Sequence, residues 1–292
     1  MIAQQLINGL LLGAVYALFA IGYTLVFGVL DILNLAHAAI FMLAAFATWS
    51  MLGAGLPLPL AFLLAVVLAG ILGVLLDRIA FAPLRRRNAG TLIPLISSIG
   101  MAIIFGAIAR GIYGVDERHF TLPLLDAPPM RFGPVTFTTV EISIFALAIV
   151  LMLVLTYVMR ATPLGRRIRA VAEDSVAAQL LGVNLEHTIG ATFFIASALG
   201  GAAGILTALQ YNSVTVDMGG QIELKGLAVI ILGGMGSITG AVIGGFVLGG
   251  VETLAIAYNL SEWRDALAFG VMFLILIIRP RGIFGKRALR AA

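Results

Sequence analysis

Asn34 and His37 stand three residues apart in the string LVFGVLDILNLAHAAI, with Asp31 one turn before them. Positions i and i+3 share a helix face, so this amide and imidazole could contact a polar solute together or face a neighbouring subunit. They lie in an apolar block, where an ionisable group is costly and turns toward a bundle interior or an aqueous boundary. The same residues also read as structural, with Asp31 marking a loop end and His37 bonded to a backbone carbonyl. Glu252 is a second acid inside an apolar run, and reads as a residue of a solute path or as an end residue reaching for water. A third group, Asp116-Glu117-Arg118-His119, lacks the spacing of a metal-binding helix and reads as a solvated loop. Three scattered histidines and no cysteine supply neither a nucleophile–base pair nor a ligand set. No catalytic residue and no metal site is assigned, which sets aside an intramembrane enzyme.

The densest polar interruption runs from Arg160 to His187 and holds Arg160, Arg166, Arg167, Arg169, Glu173, Asp174, Glu186 and His187. In a chain only 11% charged, such a stretch belongs in water. Within it, Ser175 to Leu181 (SVAAQLL) is a run of helix formers preceded by Glu173 and Asp174 and followed by Gly182. Carboxylates suit a helix start, and glycine accepts the left-handed backbone that closes a last turn. The expectation is a stubby amphipathic helix at the membrane surface that exposes Ala177, Ala178 and Leu181.

The elements that position these residues are membrane helices. The chain has 292 residues, 61% of them apolar, with a mean hydropathy of +1.10. Apolar runs of about 20 residues recur, each long enough to cross a roughly 30 Å hydrocarbon core. Lipid offers no partner to a backbone amide, so these runs must be helical. Residues 1–292 read as one all-α membrane domain: a polytopic bundle of eight or nine spans with no large soluble part. The N-terminal MIAQQLINGL lacks a basic n-region and is read as part of the mature protein. The pI near 9.8 does not imply nucleic acid, because the basic residues sit at membrane edges.

Taken in order, the first block splits near Asp31–Asn34. A helix from Pro59 to Leu76 ends at Asp77-Arg78, followed by the Arg85-Arg86-Arg87 run, which is also compatible with anionic-lipid contact. A span from Leu92 to Tyr113 carries Ser97 and Ser98, read as bonding the preceding turn. Residues 114–139 form an external loop, with a small hairpin suggested by Val135-Thr136-Phe137-Thr138. Spans over Ile142–Met159 and Ile189–Leu209 flank the polar loop of about 160–188. Gln210 to Gly226, with Asp217, Glu223 and Lys225, reads as an external loop. Six glycines within thirteen residues, including Gly233, Gly234, Gly236 and Gly240, then predict a broken or re-entrant element. Trp263 occupies an interfacial loop before the last span. Three clusters hold 13 of the 18 Lys and Arg residues: Arg78 with Arg85–Arg87, Arg160–Arg169, and a tail of Arg279, Arg281, Lys286, Arg287 and Arg290. The basic bias places all three in the cytoplasm and the N-terminus outside.

Three motifs together resemble one family. Glu173-Asp174-Ser175-x-Ala177-Ala178-x-x-x-Gly182-Val183 is similar to the coupling-loop signature of ABC importer permeases, whose short helix docks into a groove of a cytoplasmic ATPase. Leu232, Gly233, Gly234, Gly236, Ser237 and Gly240 resemble the glycine-rich segment of the branched-chain amino acid permeases, and Arg279 to Gly285 (RPRGIFG) their C-terminal signature. The N-x-A-H of Asn34 to His37 is similar to their N-terminal motif, departing from it with Ala38, and Ala39, where glycine is usual. The resemblance spans nearly the whole chain and is to the H-type permease subunit. It implies a coupling site at Glu173, Asp174, Ala177, Ala178 and Gly182. It leaves Asn34, His37, Gly233, Gly234, Gly236, Ser237 and Glu252 as translocation-path candidates. It further implies a second permease subunit, two cytoplasmic ATPases, an external substrate-binding protein, and a multi-pass location in a prokaryotic inner membrane. The chain would bind no cofactor; no Walker A motif occurs, so ATP and Mg would belong to the partner ATPase. The alternative is a self-sufficient secondary transporter or channel for a small polar solute, for which Asp31 and Glu252 make a sparse relay.

Overall fold

The computed structural model describes residues 2–123, 125, 128–133, 135–280 and 282–285. Twelve α-helices and one two-stranded hairpin follow in order. They are α1 Ile2–Leu30, α2 His37–Gly53, α3 Leu58–Leu76, α4 Ala82–Arg86, α5 Leu92–Tyr113, the strands β1 Met130–Phe132 and β2 Val135–Phe137, and α6 Thr139–Ala161. After these come α7 Pro163–Glu173, α8 Ser175–Leu180, α9 Leu185–Tyr211, α10 Met218–Gly233, α11 Ile238–Ala257 and α12 Arg264–Ile278. Among the described residues six helices are long and apolar enough to cross a membrane: α1, α3 continued into α4, α5, α6, α9 and α11. The shorter α2, α10 and α12 pack into or onto the same bundle. The chain is an all-α polytopic membrane protein.

Burial sorts the helices. The most apolar window of α1 is 89% buried and that of α9 72%, whereas those of α3, α5 and α6 are 22–28% buried. So α1 and α9 form the centre, and α3, α5 and α6 turn Leu63, Ile71, Ile103, Leu153 and their neighbours outward as a lipid-facing layer. The tightest seam joins α1 to α11. A methyl group on Gly249 would lie 2.5 Å from the Gly13 nitrogen, and one on Gly245 would lie 2.5 Å from the Ala17 nitrogen. Small residues let two backbones meet, and the resulting dispersion contacts replace the hydrophobic drive that lipid lacks. Gly240, Gly244, Gly245 and Gly249 are therefore packing positions in a regular helix. The expected break falls before them, at Gly234 to Ser237, where Gly234 (φ 102°) and Gly236 (φ 81°) turn the chain.

Local chemistry sets the helix ends. Thr138 and Glu141 form a reciprocal capping box at the start of α6. Thr162, Asn184 and Ser237 cap α7, α9 and α11 through their side-chain oxygens. The expected helix end at Asp77 is not one. The chain passes through a π-helical turn, Asp77–Phe81, in which Ala82 N–H donates to Asp77 O, and continues to Arg86. Pro83 has no N–H to give to Ile79, so the altered ladder accommodates it. The turn also points buried Asp77 at Arg85, 2.9 Å away.

The two ends of the bundle are distinct. At one, Gln4 exchanges hydrogen bonds with the Thr136 backbone of the hairpin, and Arg118 pairs with Val214 in an isolated bridge. The hairpin is where the alternation at Val135–Thr138 places it, with Met130 opposite Phe137. At the other end lie α4, α7, α8, the Gly234–Ser237 turn, and Ile283 and Phe284, whose N–H groups donate to Leu232 and Gly233 carbonyls. The basic residues Arg281, Lys286, Arg287 and Arg290 lie outside the described residues, as do 124, 126, 127 and 134 of the loop.

Candidate functional site

The polar stretch 160–188 folds as an elbow. Its first arm, α7, is capped by Thr162 and opens on Pro163 at a first-turn position, where a missing N–H costs nothing. Gly165, Ile168 and Val171 of α7 face inward, while Arg166, Arg167 and Arg169 face water. Asp174 then breaks the helix and caps the next one: its Oδ1 accepts from the Val176 and Ala177 amides, both at 2.9 Å. Gly182 (φ 83°) closes α8, with its N–H donating to Gln179 O and that of Val183 to Ala178 O. One expectation is corrected here. Ala178 is buried against α7 rather than exposed. In a helix of 6 residues one face must seat the element, and Ala178 is the small residue that does so. The outward face is Val176, Ala177, Leu180 and Leu181, with both leucines 85% exposed.

Asn34 and His37 do not share a helix face: Asn34 lies in the non-helical segment after α1, and His37 opens α2. The chain leaves α1 at Asp31, which is exposed and left-handed (φ 57°), and runs non-helically to His37. Leu35 N–H is held by Ser98 Oγ at 3.2 Å, and Ser98 in turn donates to Leu95 O. Ser97 donates across to Ala80 O. Of the two serines, Ser98 bonds its own preceding turn and also supports the broken segment, whereas Ser97 instead ties α5 to the π turn. Asn34 Oδ1 accepts from Ala36 N–H at 3.2 Å. The His37 ring is fully buried and packs against Phe19 and Tyr23. Gly22 and Gly200 flank that ring, and a methyl group on Gly200 would meet it at 2.6 Å. The helix α10 approaches this turn closely: a methyl group on Gly219 would lie 2.7 Å from Ala38 O.

Glu252 is not near these residues. It is 1% exposed and receives Lys225 Nζ at 2.8 Å and Tyr16 Oη at 3.1 Å. Lys225 also reaches Asp265 at 3.2 Å, at the outer start of α12. This contradicts the reading of Gln210 to Gly226 as a loop: from Met218 onward it is helical, and Lys225 is 12% exposed. The buried carboxylate decides the conformation, because an unpaired one costs several kcal/mol and α10 supplies its partner. Of the glycine-turn candidates, Gly233 packs against Gly240, and Gly234 lies against the Phe284–Gly285 backbone. Ser237 caps α11, and Gly236 sits at an exposed bend. Among the described residues no group of acids and histidines could hold a metal ion.

A cleft of about 510 Å³ opens between α2, α5 and α10. Its wall includes Ala38, Ala39, Met42, Ala102, Ile103 and Leu227, and its charged residues are Arg110 and Glu223. No sequence signal marked this pairing, since the two lie 113 positions apart and Glu223 was assigned to a loop.

A central α1/α9 core with an outer apolar layer is the build of a polytopic membrane protein, and its similarity to known proteins places it among transport permeases. The chain belongs to the family described as "branched-chain amino acid transport system / permease component", whose match covers residues 5–276. It is 35% identical to the high-affinity branched-chain amino acid transport system permease protein LivH of Escherichia coli K12, across 97% of this chain and 95% of that protein. It is also 35% identical to the BraD permease protein of Pseudomonas aeruginosa over the same shares. A probable branched-chain permease of Methanocaldococcus jannaschii is 27% identical over 92% of this chain and 88% of its own. The chain is thus a permease subunit of an importer, a transport component and not an enzyme. The secondary-transporter alternative also loses its sparse relay, since Asp31 lies exposed at a loop end and Glu252 is neutralised by Lys225.

Proposed function

We propose that this chain forms one half of the translocation pathway for branched-chain or related hydrophobic amino acids in a prokaryotic inner membrane. A second, different permease subunit forms the other half. An external binding protein delivers the solute at the hairpin end, and two ATPase subunits, which hold the ATP and Mg, engage the elbow end. The observation that carries this reading is α8: a short, well-capped helix whose exposed face is apolar and whose neighbour α7 is basic. Such a patch on a water-facing element is a docking surface by its chemistry. In this arrangement nine helices cross the bilayer (α1, α2, α3–α4, α5, α6, α9, α10, α11 and α12). The arginines at 78, 85–87 and 166–169 all then face the cytoplasm, as the basic bias requires.

Closure of the ATPases on ATP would move α8, and the α7 arm would pass that movement to α6 and α1, against which it packs. The capped ends make the elbow a rigid lever rather than a floppy loop. The test is recovery of partners after gentle extraction with a tagged copy of this chain. An ATPase and a second permease should copurify and be lost on charge reversal at Glu173 and Asp174. Recovery of the chain alone, active in proteoliposomes without ATP, would sink the reading.

A further inference from the structure

We propose that Arg110 and Glu223 are the charged contacts of the solute path, holding the carboxylate and the ammonium of a zwitterionic amino acid in the cleft between α2, α5 and α10. The inference rests on the importer reading above and adds the residues that touch the cargo. The apolar wall of Ala38, Ala39, Met42, Ala102 and Ile103 takes the branched side chain. At about 510 Å³ the cleft falls in the range of roughly 300–1,000 Å³ typical of small-molecule sites.

Arg110 behaves unlike an interfacial arginine. It stands one turn from the outer end of α5, where its side chain could reach out to water. Instead the guanidinium folds back along the helix: Nη2 would lie 3.3 Å from a methyl group on Gly106, one turn deeper in the bundle. Glycine at 106 leaves the room for it. Glu223, across the cleft on α10, keeps Oε1 buried without a hydrogen-bond partner among the described residues. Neither residue forms an ion pair among the described residues, whereas Lys225, Arg85 and Arg86 each have one. Two opposite charges face one cleft without bonding each other. Arg110 is exposed along the cleft, whereas the buried Glu223 oxygen is costly to hold unless a ligand completes it, and ionisable groups of this kind mark solute paths. A zwitterion with an apolar side chain matches both charges and the wall between them. The two charges lie toward the hairpin end of the cleft, where α5 finishes at Tyr113 and α10 begins at Met218.

The test uses the complete complex with its binding protein in proteoliposomes. Arg110→Gln and Glu223→Gln should each cut ATP-driven leucine uptake at least tenfold, with the complex assembled in undiminished amount. In a separate series, Ala102→Cys, placed in a chain that has no cysteine of its own, should be labelled by a methanethiosulfonate cation. That labelling should slow when leucine-loaded binding protein is added; Leu153→Cys on the lipid face should not respond. Uptake within twofold of native in both charge variants would overturn the assignment. So would uptake lost while the Ala102→Cys labelling ignores leucine, since that is the mark of a structural role. If the native complex moves no branched-chain amino acid at all, the substrate reading falls, and the zwitterion assignment with it. Native uptake that survives both charge variants removes the cleft assignment alone.

Discussion

Lys225 Nζ sits 2.8 Å from Glu252 Oε2 and 3.1 Å from Tyr16 Oη, so one ammonium fastens α10 to α11 and to the central α1. The two acids that face Lys225 differ: Glu252 is 1% exposed and Asp265 53%. Asp265 can rely on water, whereas among the described residues Glu252 has Lys225 and Tyr16 as its hydrogen-bond partners.

The cost of breaking this pair is therefore asymmetric. Lys225→Met strands a buried carboxylate and should destabilise the protein by about 3–5 kcal/mol. Glu252→Leu leaves Lys225 with Asp265 and should cost clearly less. The Lys225→Met/Glu252→Leu double variant should recover most of the loss. Thermal unfolding of the purified protein in detergent reads all three, and equal penalties for the two single variants would contradict the asymmetry.

The His37 pocket gives a steric prediction. Gly200→Ala drives a methyl group into the imidazole at 2.6 Å, and overpacking of this kind costs about 1–3 kcal/mol. Gly190→Ala, on the same helix with open space around it, should be neutral or slightly stabilising. A melting temperature lowered equally by both would show that the Gly200–His37 contact does not matter.

The α8 cap is testable without any partner. Asp174→Ala removes the acceptor of two amides and should cost about 0.5–2 kcal/mol locally. Hydrogen exchange at Val176 and Ala177 should accelerate while exchange in α1 stays unchanged. Gly182→Ala, forced to a φ of 83°, should loosen the same helix by about 1 kcal/mol.

Arg86 and Glu186 form a forked pair at 2.8–3.0 Å, but both side chains are well exposed. Exchanging them, as Arg86→Glu with Glu186→Arg, should change stability by less than about 1 kcal/mol. A larger loss in the unfolding midpoint would contradict the reading of this pair as a solvent-screened surface ion pair.

Much of this architecture is written in short-range signals. The split before His37, the stop at Gly114, the hairpin alternation at Val135–Thr138, and the Asp174 and Gly182 boundaries of α8 each depend on a few adjacent residues. What escaped depends on distant ones. Lys225 lies in a polar string that reads as a loop, because its helical state is fixed by Glu252, 27 positions on. The α3 helix outruns Asp77 because a π turn absorbs Pro83, and Arg85, eight positions on, pairs with that acid. Ala178 faces inward because α7 covers it, and a helix of 6 residues is too short for its periodicity to say so. The close approach of Gly219 to the Ala38 carbonyl joins two distant helices, which no local motif records. The coupling candidates cluster at one elbow, but the path candidates do not share one site. His37 packs by Gly200 of α9, the glycine turn closes the arginine-rich end, and Glu252 is locked in its ion pair.

The most direct measurement is ATP-driven leucine uptake by the reconstituted complex, comparing the native chain with a Leu180→Asp/Leu181→Asp variant. Both leucines are exposed and support nothing inside the chain, so the variant should insert and melt like the native protein. If α8 is the lever between ATPase and pathway, uptake should fall to the level seen without ATP. Uptake at the native rate in a variant whose exposed face has been made acidic would contradict that role for α8.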